Sequence, residues 1–296
     1  LPPFLTGGEV APMTADGETD ANSFAAGNNG DGSQINDFRF ICINNNNNKV
    51  IQQIGAQEPE QPPEEPPIIT LYVTNENDGT IEIYDISSDS TNPVRVGQFD
   101  GGNLNVPVDI AIQGTTLYVV NLGDNTVEIY NINNPTAPVR VDQFGAGDLS
   151  GPTGIAIQGT TLYVTNQGDD AVEIYNISDP TAPVRVDQFN GVNLDNPDGI
   201  AIQGTILYVV NLGDDTVEIY NISDPTAPVR VDEFGAGDLS GPLGIAIQGT
   251  ILYVTNLAGH VEIYDISDPT VPVRVDEFGA GDLNSPNGIT IQVTTQ

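Results

Sequence analysis

The chain has 296 residues and an extreme acidic balance, 41 Asp and Glu against seven Lys and Arg, for a net charge of −34. That charge excludes nucleic acid and anionic membrane surfaces as partners, and leaves cations and basic surfaces open. Cys42 is the only cysteine, which rules out an intrachain disulfide, and no apolar run approaches a membrane span, which argues against membrane insertion.

In chain order, residues 1–56 form an N-terminal arm. Up to about Asn36 it is rich in Gly, Asn, Asp and Ala, with little periodicity. Two β-prone runs follow, FRFICI and KVIQQI, separated by asparagines, and they predict a hairpin over 38–54. A lone hairpin is marginal in water and needs a surface to pack on. Its apolar residues Phe38, Phe40, Ile41, Cys42, Ile43, Val50, Ile51 and Ile54 are therefore candidate assembly residues. Residues 57–67, QEPEQPPEEPP, predict an extended spacer reaching about 30 Å at ~3.1 Å per residue.

From residue 68 onward one unit repeats. Its clearest copy runs GIAIQGTTLYVTNQGDDAVEIYNISDPTAPVRVDQF, from Gly154 to Phe189. The opening glycine recurs at Gly199, Gly244 and Gly288, with Asp109 in its place one copy earlier. A period in the forties built from four short β runs is the length of one propeller blade. The first copy lacks its opening strand, and the chain ends on a spare one, NGITIQ, over 287–292. Joining the two completes a mixed blade. The prediction is an all-β chain: a closed five-bladed β-propeller of four-stranded blades over 68–296, its C-terminal strand completing the first blade.

Within a blade, symmetric pairing about the Ser-Asp-Pro-Thr turn sets Glu173 opposite Arg185, and likewise Glu128 with Arg140, Glu218 with Arg230 and Glu262 with Arg274. Such cross-strand pairs support the register more than they supply stability. The ten tyrosines fall two per unit, and one Phe closes each fourth strand, which reads as packing between blades.

The segments LYVTN, IEIYDISDPTVPVRV and the recurring GIAIQ resemble the LVIVD and YVTN propeller repeats of bacterial and archaeal cell-surface and secreted proteins. The resemblance covers about three quarters of the chain and implies an extracellular or cell-surface location. It carries no shared catalytic motif. The start at Leu1, with no charged-then-apolar leader, fits a mature secreted chain.

The blades look nearly interchangeable, whereas catalytic groups must differ from one another. No catalytic residue is assigned. His260, the only histidine, sits in a shortened turn and reads as solvated. Asp124, Asp169, Asp170, Asp214 and Asp215 crowd turns on one face and are the candidate Ca²⁺ ligands, against the plainer reading of ordinary Gly-Asp turns. No other cofactor is expected. Asn176 and Asn221 head N-glycosylation sequons.

The sequence expectation is a non-catalytic secreted structural protein, a filament or surface-layer subunit that binds itself head to tail through its arm. The alternatives are a lectin-like module binding carbohydrate or cations and, third, a glycoside-acting enzyme.

Overall fold

The computed structural model describes residues 39–44, 49–55, 70–87, 92–100, 102–190 and 193–289. The chain divides into two units at Pro66/Pro67. In the first, β1 (Arg39–Asn44) and β2 (Lys49–Gly55) pair antiparallel, with Phe40 opposite Ile54 and Ile43 opposite Val50. Phe38 lies outside the described residues.

The second unit is the predicted all-β, five-bladed propeller. Blade one holds β3 (Thr70–Asn75), β4 (Thr80–Asp85) and β5 (Val94–Phe99). Blade two holds β6 (Pro107–Gln113), β7 (Thr116–Asn121), β8 (Thr126–Asn131) and β9 (Val139–Phe144). Blade three holds β10 (Pro152–Gln158), β11 (Thr161–Asn166), β12 (Ala171–Asn176) and β13 (Val184–Phe189). Blade four holds β14 (Pro197–Gln203), β15 (Ile206–Asn211), β16 (Thr216–Asn221) and β17 (Val229–Phe234). Blade five holds β18 (Pro242–Gln248), β19 (Ile251–Asn256), β20 (His260–Asp265) and β21 (Val273–Phe278). Strands within each blade pair in sequence order, and the first strands β6, β10, β14 and β18 touch one another in succession around the centre.

The strand predicted to complete blade one spans 287–292, of which 287–289 are described. Asn287 sits where the next first strand sits elsewhere: its carbonyl accepts the Thr255 hydroxyl at 2.8 Å, as the Asp198 carbonyl accepts that of Thr165 at 2.7 Å. The faces that flank this seam are more open than their internal counterparts. Phe278 is 48% exposed where Phe144 is 9% exposed.

The repeat explains the interfaces between blades. Phe99, Phe144, Phe189 and Phe234 each meet a tyrosine of the following blade, Tyr130, Tyr175, Tyr220 and Tyr264, with ring centroids 4.6–4.8 Å apart. The other tyrosine of each blade reaches across with its hydroxyl. Tyr72 donates to the Pro135 carbonyl at 2.7 Å, Tyr118 to Pro180 at 3.2 Å, Tyr163 to Pro225 at 3.2 Å and Tyr208 to Pro269 at 2.8 Å. Each tyrosine thus couples apolar burial to a polar tie, as the regular spacing predicts.

The Glu–Arg pairs form, but not in the predicted register. Arg185 stands opposite Tyr175 and Glu173 opposite Gln188, because a bulge between Ile174 and Tyr175 inserts one residue into the outer strand. The same bulge recurs in every blade. Arg185 then reaches Glu173 diagonally, Nε to Oε2 at 2.5 Å, with Arg140–Glu128 at 2.6 Å and Arg230–Glu218 and Arg274–Glu262 at 2.5 Å. These four glutamates are at most 2% exposed, so they are buried carboxylates each held by one guanidinium rather than surface pairs. Losing the cation from such a site is costly because the remaining charge stays buried.

Blade three carries a local defect in this arrangement. Thr126 and Thr80 face the second oxygen of Glu128 and Glu82 at 3.3 Å, but Ala171 holds the matching position and Glu173 Oε1 is buried without a partner. Ala171→Thr therefore supplies the missing hydroxyl in a site already shaped for it. Urea denaturation should show a gain of about 0.5–1.5 kcal/mol; unchanged or lowered stability would mean that Glu173 is already satisfied.

Candidate functional site

The first strands converge so closely that a side chain is excluded at one position on several of them. A Cβ on Gly154 would lie 2.6 Å from the Asp198 carbonyl oxygen, and one on Gly199 or Gly244 would collide with the carbonyl of Leu243 or Asn287. The glycine that opens the repeat is thus required by the crowding of strands around the centre. Asp109 breaks the pattern. Its side chain stands at the glycine position of β6 and turns along the wall, accepting the N–H of Ile110 at 2.8 Å and the N–H of Ile155, from the next first strand, at 2.9 Å. Immediately before Pro107, Val106 holds φ 59, the left-handed backbone that Gly151, Asn196, Gly241 and Ser285 take at the same place, but which a β-branched residue adopts only under strain.

Asp198 is the other departure. It lies on β14, next to Gly199, where the other first strands carry Val108, Thr153 and Leu243. Both residues are half-buried on first strands, β6 and β14, which run around the centre of the ring. Burial raises the pKa of Asp109 from 3.8 to about 6 despite its two N–H donors. Burial raises Asp198 further, to about 7, and the nearby Asp109 charge adds to the shift. With burial the main cause of both shifts, Asp109 ionises at lower pH than Asp198, so between about 6 and about 7 the first is mostly ionised while the second mostly keeps its proton. That is the arrangement needed by a general base beside a general acid.

The repeat also assigned Asp109 to a glycine position and Asp198 to an unremarked one, so neither was expected at a site. The available signal was that both are departures from the repeat, and both fall on the strand that faces the centre. Thr165 and Thr255 mark the same distinction from the second strand: their hydroxyls bind the N–H of Gly154 at 2.6 Å and of Gly244 at 2.8 Å, whereas blades two and four have Val120 and Val210 there.

The candidate Ca²⁺ ligands are engaged in turns. Asp124, Asp169 and Asp214 end the 3₁₀ turns after the second strands and accept the side-chain amides of Asn121 at 3.3 Å, Asn166 at 3.0 Å and Asn211 at 3.1 Å. Asp170 and Asp215 take left-handed backbone, φ 48 and 57, and accept the N–H of Asn196 at 2.9 Å and of Gly241 at 2.6 Å from the next blade's link. These bonds tie turn to link and blade to blade. His260 is not a free turn residue: it opens β20, half-buried, with Nε2 3.2 Å from Glu262 Oε1. His260, Glu262 and Glu277 have the spacing of a metal site, but Arg274 fills the cation position, with bonds to both glutamates.

The fold and its comparisons agree on a propeller. A family model described as "Lactonase, 7-bladed beta-propeller" matches residues 66–197, a stretch that contains Asp109. No curated protein matches. A functionally unknown protein from Desulfotomaculum acetoxidans is 15% identical with a TM-score of 0.58, covering 73% of this chain and 70% of its own. A periplasmic gluconolactonase from Pseudomonas aeruginosa is 13% identical with a TM-score of 0.56, covering 74% and 68%. A candidate 6-phosphogluconolactonase from Bacteroides fragilis is 15% identical with a TM-score of 0.55, covering 72% and 66%. At these identities the likeness to solved structures is one of fold.

The lactonase match corrects the sequence expectation of a non-catalytic filament or surface-layer subunit, and with it the expectation that the chain is not an enzyme. The reason for the error is physical. Blades that look interchangeable along the sequence are not so on their first strands, where among the described residues two blades carry an aspartate and the others carry no ionisable group. The match also replaces the LVIVD and YVTN resemblance, of which the β-propeller is the part that stands.

The carboxyl pair leaves a signature in stability. In the unfolded chain Asp198 titrates near 3.8, and in the fold near 7, so the fold holds the proton more tightly. Stability therefore falls as pH rises from about 4 to about 7, and the penalty is full above that window. Asp198→Asn removes it. The variant should match the parent at pH 4 and exceed it by about 1–2 kcal/mol at pH 8, a figure discounted for solvent screening of a half-buried group. Equal stability at both pH values in urea titrations would show that Asp198 is not perturbed.

Proposed function

We propose that the protein is a hydrolase that opens a lactone ring, with Asp109 and Asp198 as its acid–base pair. The observation that carries this reading is the two aspartates themselves: carboxyls on the first strands β6 and β14, raised by burial to about 6 and about 7, where the other described first strands carry no ionisable group. The lactonase match over residues 66–197 supports the reaction class. Opening a lactone requires water to add to the ester carbonyl, and the ring oxygen to leave with a proton. An ionised carboxylate takes the proton from the attacking water, and a neutral carboxylic acid protonates the departing oxygen. A pair that shares one proton near neutral pH supplies both forms.

Asp109 has the more rigid carboxylate of the two, fixed by the N–H groups of Ile110 and Ile155, and is the residue assigned as base. Asp198 retains its proton to higher pH and is assigned as acid. The five blades here differ in number from the seven in the family's description.

Purified protein should hydrolyse a lactone faster than the buffer blank, followed by proton release in a weakly buffered solution. Asp109→Asn and Asp198→Asn should each lower kcat/KM by about 10²–10⁴ while leaving the fold intact by circular dichroism. The blank-corrected rate of the parent should rise through pH about 6 as the pair loses its first proton. Rates unaffected by either variant would remove the pair from the mechanism.

A further inference from the structure

We infer that the substrate at this centre is an uncharged, hydroxylated lactone and not a phosphorylated or otherwise anionic one. The inference rests on the proposed reaction at Asp109 and Asp198, and concerns what the surrounding charge admits. The four first strands, PVDIAIQ, PTGIAIQ, PDGIAIQ and PLGIAIQ, contain two aspartates and no Lys, Arg or His. An anion entering the ring meets at least one negative carboxylate at neutral pH, and no opposing cation on those strands.

The cations of the described blades are committed elsewhere. Arg95, Arg140, Arg185, Arg230 and Arg274 all lie on the outermost strands, β5, β9, β13, β17 and β21, and each is paired to a glutamate of its own blade. Releasing one would leave a buried glutamate unpaired. His260 lies on the third strand of blade five, against Glu262. A phosphate group carries about −1.5 to −2 charges at pH 7 and is held by guanidinium forks, ammonium groups or helix N-termini. Among the described residues the inner wall offers none of these. The chain's net charge of −34 adds a long-range field of the same sign.

What the first strands do offer suits hydroxyl groups, since a carboxyl accepts hydrogen bonds from a neutral donor without the repulsion that an anion meets there. A neutral sugar-type lactone has the right donors, and its hydroxyls cost little to bring beside a carboxylate.

The test compares D-glucono-1,5-lactone with its 6-phosphate on the full chain at pH 7, in 20 mM and 500 mM salt. The neutral lactone should have the higher kcat/KM by about tenfold or more at low salt, the scale set by one like-charge contact in a partly hydrated site. The gap should narrow at high salt. Equal or faster hydrolysis of the phosphorylated lactone overturns the inference while leaving the lactonase reading in place. Calorimetry with gluconate and 6-phosphogluconate provides the second readout. Tighter binding of the phosphorylated acid overturns the inference even where turnover is slow, and absence of both turnover and binding overturns the inference together with the reading on which it rests.

Discussion

Everything at the centre of this molecule depends on how closely neighbouring first strands approach one another. At Gly154, Gly199 and Gly244 the next strand's carbonyl occupies the space where a side chain would be. A ring this tight brings residues far apart in the chain, such as Asp109 and Asp198, onto one wall, and it strips water from whatever polar groups that wall carries. The same approach explains the glycines, the displaced side chain of Asp109 and the raised pKa values of both carboxyls.

The rest of the blade serves to hold that ring. Phe–Tyr contacts and tyrosine hydroxyls link each blade to its successor, and Glu–Arg pairs brace the outer strands over a recurring bulge. These are structural uses of groups that would otherwise invite a functional reading. The acids at Asp124, Asp169, Asp170, Asp214 and Asp215 belong with them, since each accepts bonds that close a turn or join it to the neighbouring blade. A chain so rich in acids thus uses most of its carboxylates for architecture or leaves them in solvent. Among the described residues, Asp109 and Asp198 stand apart in being placed where charge is costly, although Asp109 also joins β6 to β10 through the N–H of Ile155. Keeping such groups lowers stability near neutral pH, a penalty of the kind found where a fold is shaped by activity.

The repeat made the fold legible. Four short strands in a period in the forties, with Tyr and Phe in strict registry, lead to five blades and to the contacts between them without knowledge of coordinates. The register of the outer strand was less accessible, because one inserted residue such as Val186 leaves no mark on composition yet moves Arg185 from opposite Glu173 to opposite Tyr175. The candidate site was least accessible. Repeats draw attention to what recurs, whereas Asp109 and Asp198 matter as exceptions, and their proximity arises only when β6 and β14 are carried to the same centre. The exceptions were nevertheless visible as letters: an aspartate for a glycine in one copy, and an aspartate for Val, Thr or Leu in another.

The central claim is that Asp109 and Asp198 form a coupled pair whose burial keeps a proton at neutral pH. Carbon-13 NMR of the two side-chain carboxyls, assigned through the Asn variants and followed across pH 3 to 9, reads that property directly. The account predicts two linked transitions centred near 6 and 7, far above the ordinary aspartate value of 3.8. Independent transitions of both residues near that ordinary value would contradict it, and would leave the centre of the ring as a wall of solvated acids.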